Sequence, residues 1–164
     1  MDEQPSSEPE AGLPTDAADL AAHLARVRAH RAELAESLHA VDDALASDAQ
    51  GAAWAERLET ALAELGHDLR DHVEITEGDQ GLYALVRRDS PRLATPVERL
   101  VTEHARHRAQ VDGLLAALEH DDVDSDLPAL RAEVTALLAQ LRLHRQRGRD
   151  LVHEAYDIDL GGSG

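Results

Sequence analysis

The chain has 164 residues, enough for one domain with an ample core, and its 33 acidic against 16 basic residues give a formal charge of −17. That balance argues against binding a phosphate backbone or an anionic membrane surface, and the absence of cysteine removes disulfides, thiolate metal sites and thiol chemistry. Leucine and alanine dominate, aromatic residues make up 2%, and no β-branched run occurs, which is the composition of a helical bundle.

Residues 1–15 are rich in Pro, Ser and Glu with little to bury, and are expected to be a disordered tail. The N-terminus shows neither a basic start nor an apolar run, so no signal peptide or membrane span is expected and a cytoplasmic location is the default. Thr15 or Asp16 can cap a first helix running to about Ala46, with Leu20, Leu24, Val27, Leu34, Leu38, Val41 and Leu45 on one face. His30 flanks that stripe one turn from Val27 and Leu34, His23 lies two turns earlier on the same flank, and His39 points outward.

Ser47 to Gly51 breaks the pattern, and a second helix is predicted from about Ala52 to about Glu77. Its seam reads Leu58, Leu62, Leu65, Leu69 and then His72 and Thr76, so an apolar stripe runs into an imidazole and a hydroxyl. Gly78-Asp79-Gln80-Gly81 interrupts it, and Leu82–Val86 either resumes the helix after a kink or forms a separate short turn. Arg87 to Ala94 reads as a connection containing Pro91. Thr95-Pro96-Val97-Glu98 is then a strong start signal: an N-cap threonine, proline at the first helical position and glutamate three residues after the cap.

The third long helix carries Val97, Val101, His104, Arg108, Val111, Leu115 and Leu118 on its seam, with His107 on the alternative stripe Leu100, His104, His107, Val111, Leu114. Asp121 to Asp126 is an acidic loop, read with Asp42-Asp43 as solvated charge, since no EF-hand spacing follows. The fourth helix places Leu130, Val134, Leu137, Leu141, His144, Gly148 and Leu151 in strict four–three alternation and fades near Tyr156. Arg142, Arg145, Arg147 and Arg149 surround His144 with one sign of charge; they balance acidic neighbours or attract an anion. Residues 159–164 are a flexible end.

These elements imply an all-α fold over residues 16–158, an up-down-up-down antiparallel four-helix bundle. In each helix an aliphatic residue precedes a histidine by one turn: Val27 and His30, Leu69 and His72, Val101 and His104, Leu141 and His144. Counted from the loops, His104 and His144 stand at nearly equal height. His72 joins them only if its helix ends or bends at Gly78. Four converging imidazoles in a bundle core could hold a metal ion, and their chemistry does not choose among divalent first-row ions.

The order of histidines resembles the hemerythrin-like family: His30-Arg31, His72 before Thr-Glu, Glu103-His104 and His144 on successive helices. The resemblance covers about residues 20–157 and implies a non-haem iron centre that binds or senses oxygen, nitric oxide or peroxide. It implies terminal ligands at His30, His72, His104 and His144, with Glu77 as the nearest bridging carboxylate and His107 and Asp150 as secondary candidates. The carboxylates stand out of the family's register: Thr76 lies four after His72, and Gly148 and Arg149 occupy the positions after His144. Zinc or another divalent ion is the other metal reading. A bis-histidine haem fits less well with so few aromatics, and a metal-free interaction module remains the rival from another class. The expected ligand is a diatomic or a peroxide, and the chain reads as a metal-binding or sensing protein before a dedicated enzyme.

Overall fold

Leucine and valine recur at alternating spacings of three and four along four long segments, and each of those segments is a helix. The structure, a computed structural model, describes residues 17–119 and 127–157. The expectations for both tails, for the Thr15 or Asp16 cap and for the acidic loop lie outside the described residues. Helices α1 (Ala17–Ala46), α2 (Gly51–Glu77), α4 (Ala94–Leu118) and α5 (Leu127–Tyr156) are the long elements. A short α3 (Leu82–Asp89) and one 3-10 turn (Pro91–Leu93) lie between α2 and α4. No strand occurs among the described residues, and none of their helices is long and apolar enough to cross a membrane.

Helix α2 packs on α1 and α4, and α5 packs on α4 and α1, so the four long helices enclose a common interior with α3 across one end. That interior holds two apolar blocks. The larger joins Leu34, Leu38, Trp54, Leu58, Leu62, Leu65, Leu69, Val111, Val134 and Leu141. The smaller joins Leu24, Val27, Tyr83, Val86, Val97, Leu100, Leu151 and Val152 near α3. Each buried leucine or valine contributes about 1.5–3 kcal/mol. Between the blocks every long helix changes from aliphatic to polar at its seam: Arg31 on α1, His72 and Thr76 on α2, Glu103, His104 and His107 on α4, His144 on α5, all buried. At the far end of the large block Arg131 lies 4.1 Å above the Trp54 ring and donates to the Leu45 carbonyl at 2.8 Å, satisfying one of the last acceptors of α1.

The connection after α2 decides how α3 sits. Helix α2 stops at Glu77, and the Gly81 backbone comes so close to it that a Cβ on Gly81 would stand 2.7 Å from the Thr76 carbonyl oxygen. Only glycine fits there, and the chain turns back to lay Tyr83 into the interior. Leu82–Val86 is therefore part of a separate helix, and it extends through Asp89, three residues into the expected connection.

Two further expectations are corrected. Helix α4 begins at Ala94, with Leu93 in the cap position and no side-chain cap, so Thr95 is inside the first turn. Leu93 is buried, and the 3-10 turn feeds straight into the helix, which leaves no extended residue for a threonine cap. Pro96 remains harmless because the first-turn N–H groups have no intrahelical acceptor. The interior face of α4 is the stripe Val97, Leu100, His104, His107, Val111, Leu114, Leu118, while Arg108 is exposed and Val101 only half-buried.

Candidate metal centre

His72, His104 and His144 meet between the apolar blocks. The His72 ring stands edge-on to His104 at 5.0 Å and to His144 at 5.8 Å between centroids, and His104 and His144 are 4.5 Å apart. One potential ligand atom from each lies within 4.8 Å of the others. In a second group, Glu103, His107 and His144, the ligand atoms also lie within 4.8 Å of one another, and it shares His144 with the first.

Carboxylates orient two of these rings. Glu77, the last residue of α2, places Oε1 2.5 Å from His104 Nδ1, and Glu103 places Oε2 2.9 Å from His144 Nδ1. An ionised carboxylate only accepts, so each Nδ1 carries the ring proton and each Nε2 keeps its lone pair. Arg147 pairs with the other oxygen of Glu103, and the Gln110 amide oxygen lies 3.2 Å from His107 Nδ1. Tyr83 stacks on His104 at 5.8 Å. Thr76 returns its hydroxyl to the His72 carbonyl at 2.7 Å, so its polarity is met within α2.

The opposite nitrogens are not met. Nε2 of His72, His104 and His107 is buried without a hydrogen-bond partner. Each such atom costs about 1–3 kcal/mol if nothing binds it. Protonation does not relieve them. Burial holds His72 well below the ordinary histidine range, with His104 and His144 adding to the effect, and it pushes His144 down to about 2. Burial likewise lowers His104 against the pull of Glu77, and lowers His107. At neutral pH all four rings are uncharged, the form that ligates a cation.

Of the residues expected from the sequence, the structure brings together His72, His104 and His144, with His107 beside them and Glu77 behind His104. It does not bring in His30, whose side chain is 31% exposed with Nδ1 3.0 Å from Glu33. The seam of α1 runs Leu24, Val27, Arg31, Leu34, so the inward position belongs to Arg31, one residue on. Asp150 is exposed, two residues beyond the seam position Gly148. His23 is buried apart from the group, with Nδ1 3.3 Å from the Arg26 guanidinium, and His39 is exposed as expected. Among the arginines around His144, Arg142 pairs with Asp42 and Arg147 with Glu103. Sequence reasoning missed Glu103 and Arg31. The spacing of three from Leu100 marked Glu103, and the gap in the four–three alternation of α1 marked Arg31. Compared with known proteins, the chain matches no family model, no curated protein and no solved structure.

Proposed function

We propose that this protein binds a divalent first-row metal ion, non-haem iron or zinc, through His72, His104 and His144 inside a hemerythrin-like, up-down-up-down four-helix bundle. The antiparallel course is supported by contacts whose numbers run in opposite senses. Arg131 reaches Leu45 and Arg31 reaches Arg145 between α5 and α1, while Gly66 meets Val111 and His72 meets His104 between α2 and α4.

One observation carries the metal reading. Three neutral imidazoles from three helices converge in a core, two of them backed by carboxylates, with unpaired Nε2 atoms on His72 and His104. Carboxylate-backed histidine is the usual setting of a metal-ligating imidazole, because the outer partner fixes the tautomer and raises basicity. The reading departs from a carboxylate-bridged di-iron centre, since Glu77 is engaged with His104 and Glu103 with His144 and Arg147. Convergence of three rings on one point also favours an ion over a haem, which needs two imidazoles opposed across a flat slot. An ion held by three imidazoles keeps open positions for an exogenous ligand, as binding or sensing of a small molecule requires.

Elemental analysis with an optical spectrum, on protein purified without a histidine tag, tests this. About one equivalent of metal is expected in the wild type and a loss in His72→Ala, His104→Ala and His144→Ala. A wild type that neither retains nor takes up any divalent ion would leave the group as a hydrogen-bonded polar layer in an interaction module.

A further inference from the structure

Arg31 is the member of the polar layer that metal ligation leaves unexplained. Its guanidinium fills the inward position of α1 and is 6% exposed. Nη2 donates to the Arg145 carbonyl at 2.7 Å, while the buried Nε has no partner. Nη1 lies against α5 where Gly148 leaves space, since a Cβ on Gly148 would stand 3.1 Å from it. Gly148 follows His144 by one turn, so the guanidinium stands beside the level of the imidazoles. Burial, with Arg145 and Arg149 nearby, lowers its pKa to about 10, and it stays charged at neutral pH.

A charge buried this deeply ordinarily has a partner of opposite sign. Arg31 has no ion pair among the described residues, and the two carboxylates of the layer are engaged elsewhere. A divalent ion on three neutral imidazoles adds more positive charge beside it. With the ion bound, its charge and those of Arg31 and Arg147 exceed the two carboxylates, Glu77 and Glu103, and a neutral diatomic ligand does not balance them.

We propose that the centre takes a small planar oxyanion of the carboxylate or nitrite kind as its exogenous ligand, with one oxygen on the ion and the other on the free Nε–H of Arg31; this rests on the metal-binding reading above. A two-oxygen anion can span the ion and the Nε–H with different atoms, which a monatomic anion cannot, and the hydrogen bond from the guanidinium is charge-assisted. Gly148 is what lets the guanidinium stand there.

The test uses full-length protein reconstituted with cobalt(II), with cobalt content measured first and formate as the probe, read from the visible cobalt spectrum. Formate is expected to bind the wild type. Its Kd should rise about tenfold or more in Arg31→Met, the loss that one charge-assisted hydrogen bond brings, and less in Arg31→Lys. Gly148→Ala keeps the charge but crowds the guanidinium, and should weaken formate as well; it carries the test if Arg31→Met does not fold. Equal formate affinity in the wild type and these variants, at equal cobalt content, overturns the oxyanion subsite and leaves the metal centre standing. So does a cobalt-loaded wild type with no spectral response to formate. Failure of the wild type to take up cobalt overturns the metal centre and the subsite together.

Discussion

Acid should unfold the metal-free protein through its buried histidines, and His144 gives the effect a size. In the folded chain its pKa is pushed down to about 2, chiefly by burial, against 6.5 for an ordinary histidine. The unfolded state therefore binds a proton at a pH where the folded state does not. Stability from this group is complete above the unfolded value of 6.5 and is lost as pH falls through it towards the folded value. At about pH 5.5 the unfolded imidazole is roughly ten parts protonated to one, which costs about 1.4 kcal/mol; at about pH 4.5 the cost is about 2.7 kcal/mol. His72, His104 and His107 act in the same direction. The large negative charge opposes them, because protonating surface carboxylates relieves repulsion as the pH approaches the sequence pI of 4.8. The clean measurement is thus a difference between the wild type and His144→Leu, by urea unfolding without metal, at about pH 7.5 and about pH 5.5. The wild type should lose about 1.4 kcal/mol more than the variant over that interval, a relative midpoint shift of about 0.5–1.4 M urea. Parallel losses in the two proteins would refute the argument that His144 is buried neutral.

Other outcomes follow from the same layer. A chelator should lower the melting temperature of metal-loaded protein and added metal should restore it, since an ion at 100–1,000 times its Kd contributes about 3–4 kcal/mol; calorimetry with and without chelator checks this. His30→Ala and His39→Ala should keep full metal content by elemental analysis, because one side chain faces Glu33 and the other is exposed. Glu103→Gln and Glu77→Gln should weaken metal binding about 10–100-fold without abolishing it, as loss of an outer partner does, and competition with a chromophoric chelator reads the change. Gly81→Ala, whose Cβ would stand 2.7 Å from the Thr76 carbonyl oxygen, should destabilise the protein by about 1–3 kcal/mol in urea unfolding and disturb the Tyr83 stack on His104.

The four long helices and most of the histidine group were legible in the sequence, because a periodic leucine seam predicts both a helix and its inward face. Seam phase carried the information on His72 and His144, which fall on the strict alternation of α2 and α5. On α1 proximity to the stripe favoured His30, although the alternation itself pointed at Arg31; chemical expectation outweighed geometry there. On α4 two stripes share His104, and only packing against α2 and α5 selects the one that buries His107 and exposes Arg108. The sequence marked Glu77 as the nearest carboxylate but did not assign it to His104. Its position five residues after His72 puts it off the seam, yet at the last residue of α2 it spans to the neighbouring helix and meets His104. The Thr95 signal failed because local capping chemistry yielded to the buried Leu93 and the 3-10 turn before it.

The single polar layer between two apolar blocks also serves as an index mark for assembly. Leucine seams repeat every turn, so a helix that slides by one turn still sets leucine against leucine and loses little. Arg31, His72, Glu103, His104, His107 and His144 fall within about one turn of their helices, and sliding a helix sets a charge or an imidazole against aliphatic side chains. A misplaced buried charge costs several kcal/mol, more than a leucine mismatch recovers. A bundle whose layer were rebuilt in leucine should therefore gain stability and lose its unique vertical alignment, in the way that one buried polar residue fixes the register of a coiled coil.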